Sequence, residues 1–376
     1  MLSKTDRTSR LLTQPRGSRR PRRLWALIAA VAAVGLTGTT AVPALAASYS
    51  ITDLGNLGYP TARAAAINES GQVAGTSYLA ERVEYNVGCS PRHRPCFVHP
   101  ERPFLWSAGT IANLGSLGGL FATASAINSA GDVVGNSYLS GNSCCAAFLV
   151  HAGHMTNLGA FKAAAINDSN VVAGSVSVPG VGQTHAVLDR NGTLTDLGLI
   201  PGSGGIFTVP SGINNSNEVV GSGDNAESDQ RAWVDRNGKM TDLGTLGGPG
   251  AFASAINNNG EIVGGSQTAS DSEHPFLDKG GKMIDLGTFN LESVANAISN
   301  NGVIVGETYE LEKSGNAGFH AFIYTGGHFQ DLNNLIPSGS GYVLTNAVGI
   351  NNKGQILVDA STTSTFQNHA LLLNPS

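Results

Sequence analysis

The chain has 376 residues, with 22 Lys and Arg against 27 Asp and Glu, a formal charge of −5, and only 13% of its residues charged. With 49 Gly and no sustained helical periodicity, this composition excludes a helical bundle or coiled coil and points to an all-β chain. Its acidic balance disfavours polyanions, which sets aside nucleic acid and anionic membrane surfaces as partners.

The first element in chain order is a leader. Eight of the basic residues lie between Lys4 and Arg23, an uncharged run follows from Leu24 to about Thr40, and Ala44-Leu45-Ala46 supplies small residues for cleavage. This pattern predicts a signal peptide over residues 1–46, export, and a mature domain over 47–376. The doublets Arg19-Arg20 and Arg22-Arg23 leave the general secretory and twin-arginine routes both open. Cleavage would leave a net charge of about −12 and no second apolar run of spanning length.

The mature part opens on Ser48-Tyr49-Ser50-Ile51-Thr52-Asp53-Leu54-Gly55, which matches the last strand of a repeat that then recurs along the chain. One whole repeat runs from Ser254-Ala255-Ile256-Asn257 through Gly260-Glu261-Ile262-Val263-Gly264 and His274-Pro275-Phe276-Leu277 to Asp285-Leu286-Gly287. The Ile-Asn pair returns at Ile67, Ile127, Ile166, Ile213, Ile256 and Ile350, with Ile298-Ser299 as a variant. Asn-x-x-Gly joins the first two patterns; turns such as Asp189-Arg190-Asn191-Gly192 join the last two, supplying the positive φ of tight hairpins. Four antiparallel strands per repeat of about 45 residues is the blade of a β-propeller. The chain closes on His369-Ala370-Leu371-Leu372-Leu373-Asn374, a third strand whose fourth is the opening segment. The expectation is a seven-bladed β-propeller, closed by the N-terminal strand pairing in the last blade, which removes two exposed sheet edges.

These motifs resemble the HAF repeats of bacterial extracellular proteins, named for a His-Ala-Phe triplet. His320-Ala321-Phe322 is intact, His274-Pro275-Phe276 and His185-Ala186-Val187 are close variants, and Asp242-Leu243-Gly244-Thr245-Leu246-Gly247-Gly248 follows the pattern. The resemblance implies an exported bacterial repeat protein and brings no catalytic motif with it.

The recurring His185, His274, His320 and His369, with Arg102 and Arg231 at equivalent places, supply one side chain per repeat, which does not converge into a zinc site. Counting back from the turn sets Asp242 across from Trp233 and beside Arg231, and the same register sets Asp285 beside His274; these read as cross-strand structural contacts. The Asn of each Ile-Asn reads as an Asx-type turn former. Connections on the two tight-turn positions are uniformly short. Those on the opposite face vary, with long segments at Ser77–Glu101, Asn136–Cys145, Ser222–Gln230 and Glu307–Gly318. Variable loops on a rigid scaffold are where binding residues gather.

The leading candidate is therefore the first insertion, whose Arg82, Glu84, Tyr85, Arg92, His93 and Arg94 suit an anionic or carbohydrate partner. Asp224, Glu227 and Asp229 are candidate calcium ligands, calcium being the one cofactor considered, although their spacing departs from an EF-hand. Cys89, Cys96, Cys144 and Cys145 all lie in second-to-third loops, and export favours disulfides. The preferred pairing bridges Cys89 and Cys96 to the Cys144-Cys145 pair; a vicinal bond with a local Cys89–Cys96 loop is the alternative. A monomeric extracellular or cell-envelope binding or structural module for a glycan or protein ligand is the first functional reading. An exported polysaccharide hydrolase or lyase with its site in the central channel is the second. Convergent Asp, Glu, His or Arg at the loop-face end of the innermost strands would favour the second.

Overall fold

Each repeat is built outward from its turns. In Asn257-Asn258-Asn259-Gly260 the Asn257 Oδ1 accepts from the N–H groups of Asn259 and Glu261, both at 3.0 Å, and Gly260 takes φ +76°. The strands on either side, Gly247–Ile256 and Ile262–Thr268, therefore fold back on each other. The turn before Gly192 uses Asn191 and Gly192 at φ +53° and +84°, the mirror-image geometry that matches strand twist. The computed structural model describes residues 48–85, 97–289, 291–311, 317–363 and 367–376, so the leader lies outside the described residues. Among the described residues no helix is long and apolar enough to cross a membrane.

The fold is all-β and propeller-like. Among the described residues the strands form seven antiparallel four-strand meanders, and single parallel bridges, Glu101 to Phe121 and Thr184 to Phe207, link two neighbouring pairs of them. The seventh combines Tyr342–Ile350, Ile356–Thr362 and Asn368–Pro375 with Tyr49–Asp53, the last two aligned from Tyr49 opposite Pro375 to Asp53 opposite Leu371.

Second strands carry no in-out alternation. Val73, Ala74, Val133, Val134, Ile262, Val263, Ile356 and Leu357 are all buried because neighbouring meanders cover both faces of the sheet. Third strands insert the large side chains, with Phe104, Phe148, Trp233, Phe276 and Phe322 wholly enclosed. The resulting apolar clusters sit between consecutive meanders. One of them packs Leu357, Ala370 and Leu372 of the seventh against Ala62, Val73, Phe104 and Trp106 of the first.

Every first strand carries a β-bulge about three residues before the Asn or Ser that opens its turn, as at Ala64/Ala66, Ala124/Ala126 and Ala163/Ala165. Just before the bulge, a first-strand carbonyl presses against the second strand at a column that is glycine in the first six meanders and Val358 in the seventh: a Cβ on Gly135 would collide with Thr123 O and the Phe148 ring. The bulge also turns an N–H toward the preceding meander. Thr76 Oγ1 accepts from Ala124 N at 3.0 Å, Asn136 Oδ1 from Ala163 N at 2.9 Å, and Asp359 Oδ1, in the seventh meander, from Ala64 N in the first at 3.0 Å.

The repeated Asn does more than form a turn. Its Nδ2 donates to the backbone carbonyl at the equivalent place one repeat on: Asn68 to Asn128, Asn128 to Asn167, Asn167 to Asn214, Asn214 to Asn257, Asn257 to Ser299, all at 3.0 to 3.3 Å. Asn351 of the last repeat donates to Asn68 O of the first at 3.1 Å. At the next position Asn352 N donates to Glu69 Oε2 at 3.1 Å and Asn352 Nδ2 to Glu69 Oε1 at 2.8 Å. These polar collars surround a cavity of about 280 Å³ lined by the isoleucine of every Ile-Asn or Ile-Ser pair.

Candidate functional site

The His and Asp columns pair as the register requires. Asp242 stands opposite Trp233 and receives Arg231 in a two-pronged contact at 2.9 and 3.2 Å. His185 Nδ1 lies 2.9 Å from Asp196, His274 Nδ1 2.8 Å from Asp285, and His369 Nδ1 2.8 Å from Asp53. The last pair joins the final strand to the first. In the first meander, where Asn113 replaces the aspartate, Arg102 Nη1 donates instead to Leu120 O at 2.6 Å.

The first insertion begins with a two-stranded ribbon, Val83–Glu84 against Phe97–Val98. Arg82 sits over the Phe97 ring at 5.3 Å, and Tyr85 meets Phe121 of the second meander edge-on at 5.7 Å. Arg92, His93 and Arg94 lie outside the described residues, as do Cys89 and Cys96.

In the second loop Cys144 and Cys145 stand as an adjacent pair with Cα atoms 3.4 Å apart, and the preferred bridges from Cys89 and Cys96 fall on residues outside the described ones. That loop is short, tied by Leu139 N donating to Ser143 O at 3.1 Å, so each thiol has its chain neighbour within reach. The pair borders a cavity of about 430 Å³ with Phe161, Lys162, Thr184 and Phe207.

Asp224, Glu227 and Asp229 do not gather their carboxylates at one point. Asp224 is buried and its Oδ1 accepts from Ile206 N at 2.7 Å and Phe207 N at 2.9 Å; Asp229 Oδ2 accepts from Asn225 at 3.2 Å. Two backbone amides thus hold Asp224 Oδ1, and a carboxamide holds Asp229 Oδ2.

A different group converges at the loop-side ends of the fifth and sixth meanders. Glu273 opens the third strand Glu273–Asp278, Glu292 opens the first strand Glu292–Ile298, and Glu307 and Tyr309 lie on the second strand Ile304–Leu311, with Phe319 on the third strand Ala317–Thr325. With Ser293 and Val294 they line a cavity of about 360 Å³. Tyr309 and Phe319 are cross-strand partners with ring centroids 5.2 Å apart, and Phe319 is 52% exposed. An exposed aromatic ring beside a pocket is costly in water and useful to a ligand.

The carboxylates crowd one another. Burial, then the charge of Glu292, raises the Glu273 carboxyl above the ordinary range. Burial, then Asp359, then Glu273 raise Glu307. Asp359, on the adjoining second strand, is pushed up to about 6 by burial, against the lowering influence of the Ala64 N–H and of Arg63. The neutral, hydrogen-bond-donating form of these carboxyls is thus favoured over what it would be in water.

No motif marked this pocket. Its members come one to three at a time from four strands, and Glu307 occupies a column held elsewhere by Thr76, Asn136, Ser175, Ser222 and Gly265. The departure of one column from small or neutral residues to Glu307 and Asp359 was the available signal.

No protein-family model and no curated protein matches the chain. Among solved structures it is similar to the β-propeller domain of the Trilobed protease from Pyrococcus furiosus, described as having an open velcro topology. The identity is 9% and the TM-score 0.53, over 88% of this chain and 95% of that one. It is also similar to the acylaminoacyl peptidase of Pyrococcus horikoshii, at 10% identity and TM-score 0.51, over 83% of this chain and 51% of that one. Likeness to the sialidase of Trypanosoma rangeli is 10% in identity with a TM-score of 0.44, over 86% of this chain and 59% of that one. The chain thus spans about half of the peptidase and three fifths of the sialidase. The two TM-scores above 0.5 establish the propeller-like fold and nothing about activity.

Proposed function

We propose that this protein is an exported seven-bladed propeller of the HAF-repeat type that binds a carbohydrate on its long-loop face, in the pocket between the fifth and sixth meanders. The observation that carries the reading is the cross-strand Tyr309–Phe319 ring pair flanked by Glu273, Glu292 and Glu307. A sugar presents an apolar C–H face to an aromatic ring and a rim of hydroxyls to polar groups; the pocket offers both at once. Closure of the ring is supported by the Tyr49–Asp53 pairing, the Asn351-to-Asn68 hydrogen bond and the apolar cluster between the seventh and first meanders. The basic leader and its small-residue cleavage site support export, and extracellular or cell-envelope residence follows from it. In this reading Arg82, Glu84 and Tyr85 offer further polar and aromatic contacts to a longer chain of the same ligand, and Arg92, His93 and Arg94 are proposed for the same role on their sequence alone.

A glycan array identifies the ligand, and calorimetry on Phe319→Ala and Glu307→Gln then tests the pocket. Loss of the ring weakens binding about tenfold or more, on the scale of one stacking contact, with the fold unchanged by circular dichroism. If no glycan binds, or the Phe319→Ala protein binds as well as the parent, the reading fails. The raised carboxyls of Glu273 and Glu307 favour one second reading, hydrolysis, because a general acid must hold its proton near neutral pH. New reducing ends on incubation with a bound polysaccharide, absent with Glu307→Gln, would select it.

A further inference from the structure

On the opposite face of the hairpin that carries Tyr309 and Phe319, the His-Asp column changes character. Strand alternation turns Glu310 and His320 away from the ring pair. In the other meanders that have the pair, one imidazole or guanidinium meets one carboxylate. Here His320 Nδ1 lies 3.0 Å from Asp331 Oδ2 and 3.2 Å from Glu310 Oε2, so one imidazole faces two carboxylates. Among the described residues this is the one group in which three ligand atoms of His, Cys, Asp or Glu lie within 4.8 Å of one another.

We propose that Glu310, His320 and Asp331 form a binding site for a zinc-like divalent cation. A metal about 2.0 to 2.1 Å from each of three tetrahedral ligands holds them roughly 3.3 Å apart, close to the spacings His320 already has to both oxygens. One nitrogen and two carboxylate donors suit zinc or cobalt; calcium takes six to eight oxygens, which this group does not offer. The fourth position is left for water or an exogenous ligand.

The site is pre-organised behind its ligands. Asp331 Oδ1 accepts from Asn333 N at 2.8 Å and Asn333 Nδ2 at 2.9 Å, which leaves Oδ2 aimed at His320. Asn333 is itself pinned by donating to Leu344 O at 2.9 Å and accepting from Leu344 N at 2.8 Å. Such outer hydrogen bonds orient metal ligands and tune affinity. The side chains are 29%, 16% and 9% exposed for Glu310, His320 and Asp331, sheltered yet reachable from solvent. A bound ion would tie the second, third and fourth strands of this meander together behind the ring pair. Its role there is structural, and it stands independently of what the pocket binds.

The test uses untagged full chain stripped with a chelator and titrated with cobalt(II) and zinc(II). The expected result is one equivalent of cobalt with the visible absorption of low-coordinate cobalt, displaced by zinc. Glu310→Gln is expected to lower zinc affinity about tenfold or more and to leave the metal-free unfolding midpoint unchanged. His274→Gln, which alters the two-member pair of the fifth meander, is expected to bind metal as the parent does. No uptake by the parent, or equal uptake by Glu310→Gln, overturns the proposal.

Discussion

Replacing Asp359 by Asn is expected to stabilise the protein at neutral pH, and to do so in a defined pH window. Its carboxyl titrates near 3.8 when solvated and is pushed up to about 6 in the fold, chiefly by burial. Between those values the folded chain holds a proton that the unfolded chain has released. Stability from this group is therefore complete below about pH 4, declines as pH rises, and is lost above about pH 6. A displacement of about two pH units corresponds to roughly 3 kcal/mol at most, and about 2 kcal/mol once partial solvent screening is allowed for. In Asp359→Asn the carboxamide oxygen keeps the acceptor for Ala64 N, now 3.0 Å away, and the ionisation is gone. Loss of attraction to Arg63 subtracts from the gain. Urea unfolding of parent and variant from pH 4 to pH 8 measures the difference directly. The variant should be more stable by 1 to 2 kcal/mol at pH 7.5, and the gap should shrink to nothing or reverse by pH 4. A variant that is less stable at pH 7.5, or a gap that does not change with pH, would refute the reasoning.

Two further substitutions test the repeat itself. Ser299 accepts from Val303 N at 3.2 Å through its hydroxyl but lacks the amide that Asn257 and Asn351 extend to the next repeat. Ser299→Asn should supply it toward Asn351 O and raise stability by about 1 kcal/mol in chemical unfolding. Gly135→Ala forces a methyl against Thr123 O and the Phe148 ring at the bulge; it should cost about 3 kcal/mol, while Gly153→Ala, an exposed turn glycine with φ +80° and open space around it, should cost about 1 to 2 kcal/mol.

Most of the fold was legible because it rests on short-range devices written out several times. Asn-x-x-Gly and Asn-Gly turns, the buried Val and Ile pairs and the offset of first and last strands each follow from local backbone chemistry. The Arg231–Asp242 and His274–Asp285 contacts were reachable by counting register from the turn. The inter-repeat role of Asn68 and its equivalents was not, because a side-chain amide that spans 39 to 60 residues of sequence leaves no local trace. The Glu273, Glu292 and Glu307 pocket was hidden for the same reason, and attention went to the conspicuous first insertion instead. Glu310 escaped notice because Glu307–Gly318 reads as a connection, whereas Glu310 falls on the second strand Ile304–Leu311 and meets His320 on the third.

Ring closure can be measured with a pair of engineered cysteines. Glu69 and Asn352 are 283 residues apart in sequence and in hydrogen-bond contact at 2.8 Å. In the Glu69→Cys, Asn352→Cys double variant, kept free of reductant, a short bis-maleimide should join the two sites within one chain and speed its migration in a denaturing gel. The Glu69→Cys, Asn258→Cys pair, on repeats that are not neighbours, should stay unlinked. An unlinked 69–352 pair, or equal yields from both pairs, would contradict a ring closed by its first strand.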